Sequence, residues 1–475
     1  MDIIKNQIPL VISLSILSAT WFENIPRVIY QPDGHQIECF ITGDQYARRL
    51  HDRDDFTIIQ DPADGFYYYA KKDIHGKILP SSFMVGRDDP LASDLVPGHF
   101  ITKEEYEVKK RLYHQEESSR DHRDAPSSGE ISQINVFIRF ADDPGFPDER
   151  SYYAGIFQTD SDEPSLRHYF WEVSYNNLEV NTYHYPGSFD GSNTAYVDDH
   201  SRSYYQPYSA NNPNGYQSQG DRFQREHALL VNALNSISSS IPSTMDVDLD
   251  QNGFVDAVSF VVFGAQGAWA DLLWPHRSAL FSEEVHINGA QVYDYLFMLS
   301  ESWYYNVGVL CHEFGHVLGA PDLYQYSSGN GPTPIGYWDL MAKVRNTPQF
   351  PSAFTKWKYF NWIEPTEIIE SGTYSIRPLQ EQENSAYIIS SPLSEEEYFI
   401  FEYRRQEGMY DSNAPGSRSG LVAYRVNEGA SNGNASGPPD ELYVYRPQGD
   451  INSTGNLNDA PYSVVYDHDH LNDFS

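Results

Sequence analysis

The 475-residue chain has only two cysteines, Cys39 and Cys311. That scarcity excludes a disulfide-framework fold and any cysteine-rich zinc module. One Cys39–Cys311 bridge is possible, but nothing in the pattern demands it. Cys311 lies in an apolar stretch, where a thiol is expected to be buried and inert. Basic residues are scarce too: 32 Lys and Arg stand against 67 Asp and Glu, a formal charge of −35. Such a chain is repelled by nucleic acid and by anionic membrane surfaces, so neither is expected as a partner. Its carboxylates are in turn available to calcium. Long apolar runs are missing beyond the N-terminus, so no membrane span is expected in the mature chain. No internal repeat or long low-complexity run stands out. A monomer is expected.

The length is enough for about three domains. Residues 1–22 read as a secretory signal: Lys5 precedes the apolar run Ile8 to Leu17, and Ser18 and Ala19 follow as small residues for cleavage. Export to the extracellular space or the cell surface is expected. Residues 23–112 read as a small α+β unit. RVIYQPDGHQIECFITGD suggests two strands around Asp33-Gly34, DGFYYYAKKDIHGKILP a hairpin around Asp64-Gly65, and Ile101 to Leu112 a charged helix. Residues 113–130 are polar, lack periodicity and carry Arg120 and Arg123, so an exposed, cleavable linker is expected. In residues 131–365, INVFIRFAD and AVSFVVFGAQG read as strands. SLRHYFWEVSYNNLEVNTY reads as a helix running into a strand, and FQREHALLVNALNSI and QFPSAFTKWKYFNW as helices, the last capped by Ser352. Residues 366–475 are short alternating runs between turn residues, expected to form a β-rich, sandwich-like accessory domain, with no recognisable closing element at LNDFS.

The chemistry sits in Cys311 to Tyr324, CHEFGHVLGAPDLY. His312, Glu313 and His316 form H-E-x-x-H. On a helix the two histidines, at i and i+4, share one face and can meet one metal ion, with Glu313 on its flank. Gly319 can end the helix in a left-handed turn at no steric cost. That turn would return Asp322 under the histidines as a third ligand; its structural alternative is bracing the turn. Three ligands with a fourth position left open is the pattern of catalytic rather than structural zinc. Glu313 is then the general base, taking a proton from the attacking water and returning it to the leaving amine. A second motif, DVDLDQNGFVD, places Asp248, Asp250, Asn252, the Phe254 carbonyl and Asp256 at alternate positions of a calcium loop, with Gly253 at the turn. Ser259 stands where an EF-hand has its closing glutamate, so the loop is an incomplete one.

The stretch from Cys311 to Tyr324 resembles the active-site signature of the immune inhibitor A family of secreted zinc metallopeptidases, in the metzincin clan. The resemblance implies a metzincin-like zincin catalytic domain, protein or peptide substrates, Zn2+ and synthesis as a zymogen. It also implies that Met341, in GYWDLMAK, forms a Met-turn beneath the metal; read without it, Met341 is core filler. GDQYARRLHDRDDFTII resembles the family's prodomain, which would act as the enzyme's own inhibitor through Cys39 or a carboxylate. WADLLWPHR resembles a segment near the cleft, although His276 and His168 read better as packed or surface histidines. Three rivals remain: a distant glutamate, Glu364 or Glu301, as third ligand; a catalytically silent secreted binding or adhesion protein on a peptidase fold; and a calcium-dependent surface module with an incidental H-E-x-x-H.

Overall fold

The computed structural model describes residues 22–43, 47–74, 76–102, 104–106, 124–159, 162–188, 190–265, 276–301, 305–325, 332–416, 418–430, 433–450 and 452–464. The signal-like residues, the body of the linker with Arg120 and Arg123, and Trp269 to Pro275 lie outside them.

Alternating residues on either side of the Asp33-Gly34 turn pair as antiparallel β1 (Phe22–Tyr30) and β2 (Gln36–Gly43). β3 (Arg48–His51), β4 (Thr57–Gln60), β5 (Tyr67–Lys72) and β6 (Ile78–Met84) extend the meander in chain order. Its described residues are mostly β, with a 3₁₀ turn at Pro90–Ala92 and a helical turn at residues 104–106. Aromatic and β-branched residues such as Tyr67, Tyr69 and Ile58 favour a half-buried pleated surface. Only the opening of the Ile101 to Leu112 helix is described, and it is a capping box. Glu105 N–H donates to Thr102 Oγ1 at 3.1 Å, and Thr102 N–H to Glu105 Oε2 at 2.9 Å.

The linker expected over 113–130 gives way to bound chain before its end. Ala125 N–H donates to Val317 O at 2.9 Å, Trp362 Nε1–H donates to Ser127 O at 2.7 Å, and Gly129 already opens a strand.

That strand, β7 (Gly129–Arg139), is central. α1 (Leu166–Val173), capped by Ser165, crosses to β8 (Leu178–Tyr185), which pairs with β7 in parallel. α2 (Gln219–Ile237), capped by Ser218, precedes β9 (Val258–Val262). β10 (His276–Ala279) and β11 (Asp294–Leu299) complete the order β10-β11-β9-β7-β8, with only β10 antiparallel to its neighbour. A mainly parallel sheet must be covered on both faces, and this one is. Ile134, Val136, Phe260 and Phe297 face Leu230 and Leu234 of α2 in one apolar cluster. Phe137, Val261, Leu296 and Met298 face the other way, into the cluster that holds the H-E-x-x-H helix. The mixture of helix and sheet is as expected.

α4 (Ala353–Lys358) begins at the expected cap, Ser352. β12 (Thr366–Glu367), β13 (Ala386–Ser390), β14 (Glu397–Arg404), β15 (Gly420–Asn427) and β16 (Leu442–Val444) then form one sheet in sequence order, with β12 parallel to β13 and the rest antiparallel. The sandwich-like expectation is thus corrected as well. Among the described residues no second sheet covers this one; Val422, Tyr424 and Leu442 join the same buried cluster as Trp338 and Phe354. No described helix is long and apolar enough to cross a membrane.

Candidate metal centre

The site is built on α3 (Val307–Val317), an apolar run opened by Asn306, whose side chain accepts from Val309 N–H at 3.0 Å. All eleven of its residues are buried, His312, Glu313 and His316 included. Titratable groups in so dry a place need a specific partner. The helix stops at Gly319, where φ is +91°, the left-handed turn expected from sequence. A side chain there would also strike the Asp124 carboxylate. The chain turns back, and Asp322 Oδ1 comes to 3.1 Å from His312 Nε2 and 3.5 Å from His316 Nε2.

The other ring nitrogens decide what this cluster can hold. His312 Nδ1–H donates to Leu340 O at 2.8 Å, and His316 Nδ1–H to Ala320 O at 2.7 Å. A carbonyl can only accept, so each Nδ1 carries the proton and each Nε2 presents a lone pair. Two lone pairs and a carboxylate oxygen turned on one another could hold a cation; alone they would repel. Burial pulls the His312 imidazole down, but the Asp322 carboxylate outweighs it and raises its pKa. Burial pushes Asp322 up, yet His316 and His312 hold its carboxyl far below the usual carboxylate range. Both directions say that positive charge is favoured here. Two imidazoles and one carboxylate fit zinc better than calcium, which takes oxygen ligands.

Met341 is fully buried against the middle of α3: a Cβ on Gly315 would lie 2.5 Å from its Sδ. Its turn is tied on both sides. Leu323 N–H donates to Met341 O at 2.7 Å, and Met341 N–H to Asp339 Oδ1 at 2.7 Å. Asp339 Oδ2 accepts in turn from Ser352 N–H at 2.6 Å and Thr355 Oγ1–H at 2.7 Å. Asp339 was read from sequence only as a neighbour of Met341 in GYWDLMAK, and Gly315 was not singled out. A glycine between the two histidines was a readable sign of close packing, whereas the carbonyls that fix the tautomers leave no side-chain signal.

The other candidates sort clearly. Glu301 and Glu364 are exposed and outside the ligand cluster, so Asp322 is the third member among the described residues. Cys39 lies in the N-terminal core with its thiol pushed up to about 12 by burial, a poor thiolate donor, and it is not among the clustered ligands. Cys311 is buried, its thiol raised by desolvation, and neither cysteine is bridged. His168 bonds Tyr410 Oη at 2.8 Å, and buried His276 pairs with Glu226 at 3.1 Å; both are packing histidines. Gly429 to Gly433 fits the G-x-S-x-G of serine hydrolases, which corrects the expectation that the chain has no such nucleophile motif. It lies between two strands rather than at the strand-to-helix elbow such a nucleophile needs, and Ser431 is outside the described residues.

In the acidic loop, Asp248, Asp250 and Asp256 bring ligand atoms within 4.8 Å of one another. Asp256 Oδ1 is buried without a hydrogen-bond partner among the described residues, and burial, then Asp250 and Asp248, raise its carboxyl to about 6. Asn252 instead turns its amide into the loop, donating to Asp250 Oδ2 and accepting from Phe254 N–H.

A crystal structure of wild-type OgpA from Akkermansia muciniphila is similar at 11% identity, over 66% of this chain and 88% of that chain, with a TM-score of 0.26. That likeness is too weak to carry an argument. No curated protein matches the sequence. Residues 261–348 match the family model described as the immune inhibitor A peptidase M6 catalytic domain. The matched span contains all of α3, Asp322 and Met341, so the resemblance read from Cys311 to Tyr324 and Gly336 to Met341 is borne out: the chain carries the catalytic-domain signature of the immune inhibitor A peptidases and, with it, a metallopeptidase function.

Proposed function

We propose that the chain is a zinc-dependent endopeptidase, exported and made as a latent precursor. The observation that carries this reading is the convergence of His312 Nε2, His316 Nε2 and Asp322 Oδ1, with both imidazoles fixed through Nδ1 by backbone carbonyls. Zinc in that position supplies Lewis acidity, lowering the pKa of water to about 7 and polarising the peptide carbonyl. The chain's own residues do the rest. His312, His316 and Asp322 hold the ion, and Met341 packs beneath them. Glu313, buried beside His312 in the same dry region, takes the proton of the attacking water and returns it to the leaving amine. A silent binding scaffold would need neither this base nor the fixed tautomers.

Latency is supported by where the N-terminal unit reaches. Phe100 and Tyr106 share an apolar cluster with Tyr324, two residues beyond Asp322, and with Phe223 of α2. A prodomain docked there covers the ligand loop. With Cys39 set aside, a carboxylate is the remaining candidate for the blocking group. Activation is then cleavage within 113–123, and the calcium loop ties Asp248, Asp250 and Asp256 to the scaffold.

The test is zinc content and casein cleavage of the full chain after limited proteolysis of the linker, beside its Glu313→Ala variant. One zinc per chain in both, with cleavage only by the parent, is expected. Absence of zinc from both sinks the reading.

A further inference from the structure

Asp322 is the one member of the ligand trio that no helix holds. Residues 320–323 are irregular chain. Much of what holds them comes from the far end of the sequence. Asn434, in the connection between β15 and β16, is fully buried, and its backbone N–H donates to Asp322 O at 2.9 Å. Its Nδ2 donates to Leu323 O at 2.9 Å and to Leu442 O at 2.7 Å, while its Oδ1 accepts from Leu442 N–H at 2.9 Å. One amide therefore staples the backbone around the ligand to the first residue of β16. Gly433 beside it has φ +68°, and a Cβ there would collide with the Asp322 carbonyl oxygen, so glycine is what permits the close approach. Gly433 N–H donates to Glu441 Oε2 at 2.6 Å, and the same carboxylate takes Lys358 Nζ at 2.7 Å and the Tyr359 hydroxyl at 2.8 Å. The connection is thus anchored to α4 as well.

We propose that Asn434 is a positioning residue for Asp322, and that the connection between β15 and β16 is a working part of the metal centre rather than an attachment to it. The proposal rests on the reading of His312, His316 and Asp322 as zinc ligands. Ligands must be held within about 0.5 Å of the productive geometry by residues that are themselves locked. Asn434 is locked by three side-chain hydrogen bonds and touches the backbone on both sides of the Asp322–Leu323 peptide. Without its amide, the carbonyls of Leu323 and Leu442 lose a donor and the 320–323 segment can retreat from α3. The two histidines stay where they are.

The experiment uses the full chain. Zinc affinity is measured by competition with a chromophoric chelator, and coordination geometry by the visible spectrum of the cobalt(II) form, for the parent, Asn434→Ala and Ile400→Ala. Ile400 is fully buried in β14, paired with Tyr424 of β15, so its loss destabilises the sheet while every hydrogen bond between Asn434 and the 320–323 segment is kept. Asn434→Ala is expected to weaken zinc about 10- to 100-fold and to change the cobalt spectrum, as removal of groups that orient ligands does. Ile400→Ala is expected to lower the melting temperature and leave zinc affinity within about two-fold. Unchanged affinity in Asn434→Ala, with a zinc-binding parent, overturns this proposal alone; a parent that binds no zinc overturns the ligand reading and the proposal together. If Asn434→Ala does not fold, amide exchange of the unmodified chain decides. Zinc must slow exchange at Asn434 and Leu442 more than at Tyr424, and equal slowing overturns the proposal.

Discussion

Gly315→Ala tests whether Met341 is seated on the metal helix as described. An added Cβ meets Met341 Sδ at 2.5 Å, Met341 Cε at 3.2 Å and Leu340 Cδ2 at 3.7 Å. The first distance is far inside van der Waals contact, and the residue that must yield is fully buried. Overpacking of this kind costs about 1–3 kcal/mol. Replacing glycine by alanine within a helix returns about 1 kcal/mol. The net expectation is a loss of about 0–2 kcal/mol, read from the denaturant midpoint of the metal-free chain. The sign is more telling than the size. In a Met341→Ala background the obstructing sulfur is gone, so the same Gly315→Ala change should stabilise by up to about 1 kcal/mol. The cycle should therefore show a coupling of about 1–3 kcal/mol, in the range expected for side chains in contact. If Gly315→Ala has the same effect in both backgrounds, Met341 does not pack on α3 between the two histidines, and its place under the metal is refuted.

Other outcomes follow from the same geometry. Asp322→Ala should abolish stoichiometric zinc binding at micromolar metal, whereas Glu301→Ala and Glu364→Ala should keep it; zinc loss in either glutamate variant would restore the distant-glutamate reading. Glu313→Gln should keep one zinc and slow casein cleavage by about 10²- to 10⁴-fold or more, the range for a general base; cleavage near the parental rate would refute its role. Cys39→Ala should leave the uncleaved chain as inactive towards casein as the parent, since its buried thiol is held up to about 12; activity before linker cleavage would bring the thiol back. For the acidic loop the sign runs through Asp256, whose carboxyl is raised from 3.8 to about 6. The folded loop binds its proton more tightly than the unfolded chain does, so this contribution to stability is present below about pH 4 and is lost as pH rises through 6. Calcium relieves the repulsion only where the carboxylates are charged. Its gain in melting temperature should thus be larger at pH 7.5 than at pH 5, and Asp256→Asn should remove that gain; an equal gain at both pH values would refute the site.

What could be read from sequence was what is decided locally. The i,i+4 pair His312 and His316 needed only helix geometry, and Gly319 only the steric freedom that puts it at φ +91°. The cap at Ser352 and the turn at Asp33-Gly34 are equally short-range. Pairing between distant strands was not legible, because a strand buried on both faces, such as Val258–Val262, shows no alternation that names its neighbours. Nor were the acceptors at Leu340 O and Ala320 O, since every residue offers the same carbonyl. The linker was misjudged from Ala125 onward for a related reason: polar composition says nothing of a backbone N–H that finds Val317 O.

The C-terminal strands were read from composition as an accessory domain, and buried charge ties them to the chain that precedes them. Glu402, Arg404 and Asp411 are all fully buried in or beside the C-terminal sheet. Arg404 reaches Asp411 Oδ1 at 2.5 Å and Glu402 Oε1 at 3.1 Å, and its Nη1 also donates to Trp338 O at 3.2 Å, two residues before Leu340. Glu402 Oε2 accepts from Ala353 N–H at 2.5 Å, at the start of α4. Such a triad adds little net stability, because desolvation cancels most of its attraction. Breaking it, however, strands a charge in a dry seam. An apolar seam would let the sheet slide over the metal-site turns at small cost; hydrogen-bonded charges admit one register. That register sets the Trp338 carbonyl, and with it the turn in which Leu340 accepts from His312 and Met341 lies under Gly315. The short alternating strands of 366–464 are therefore one side of the frame that holds the metal-site turns in place.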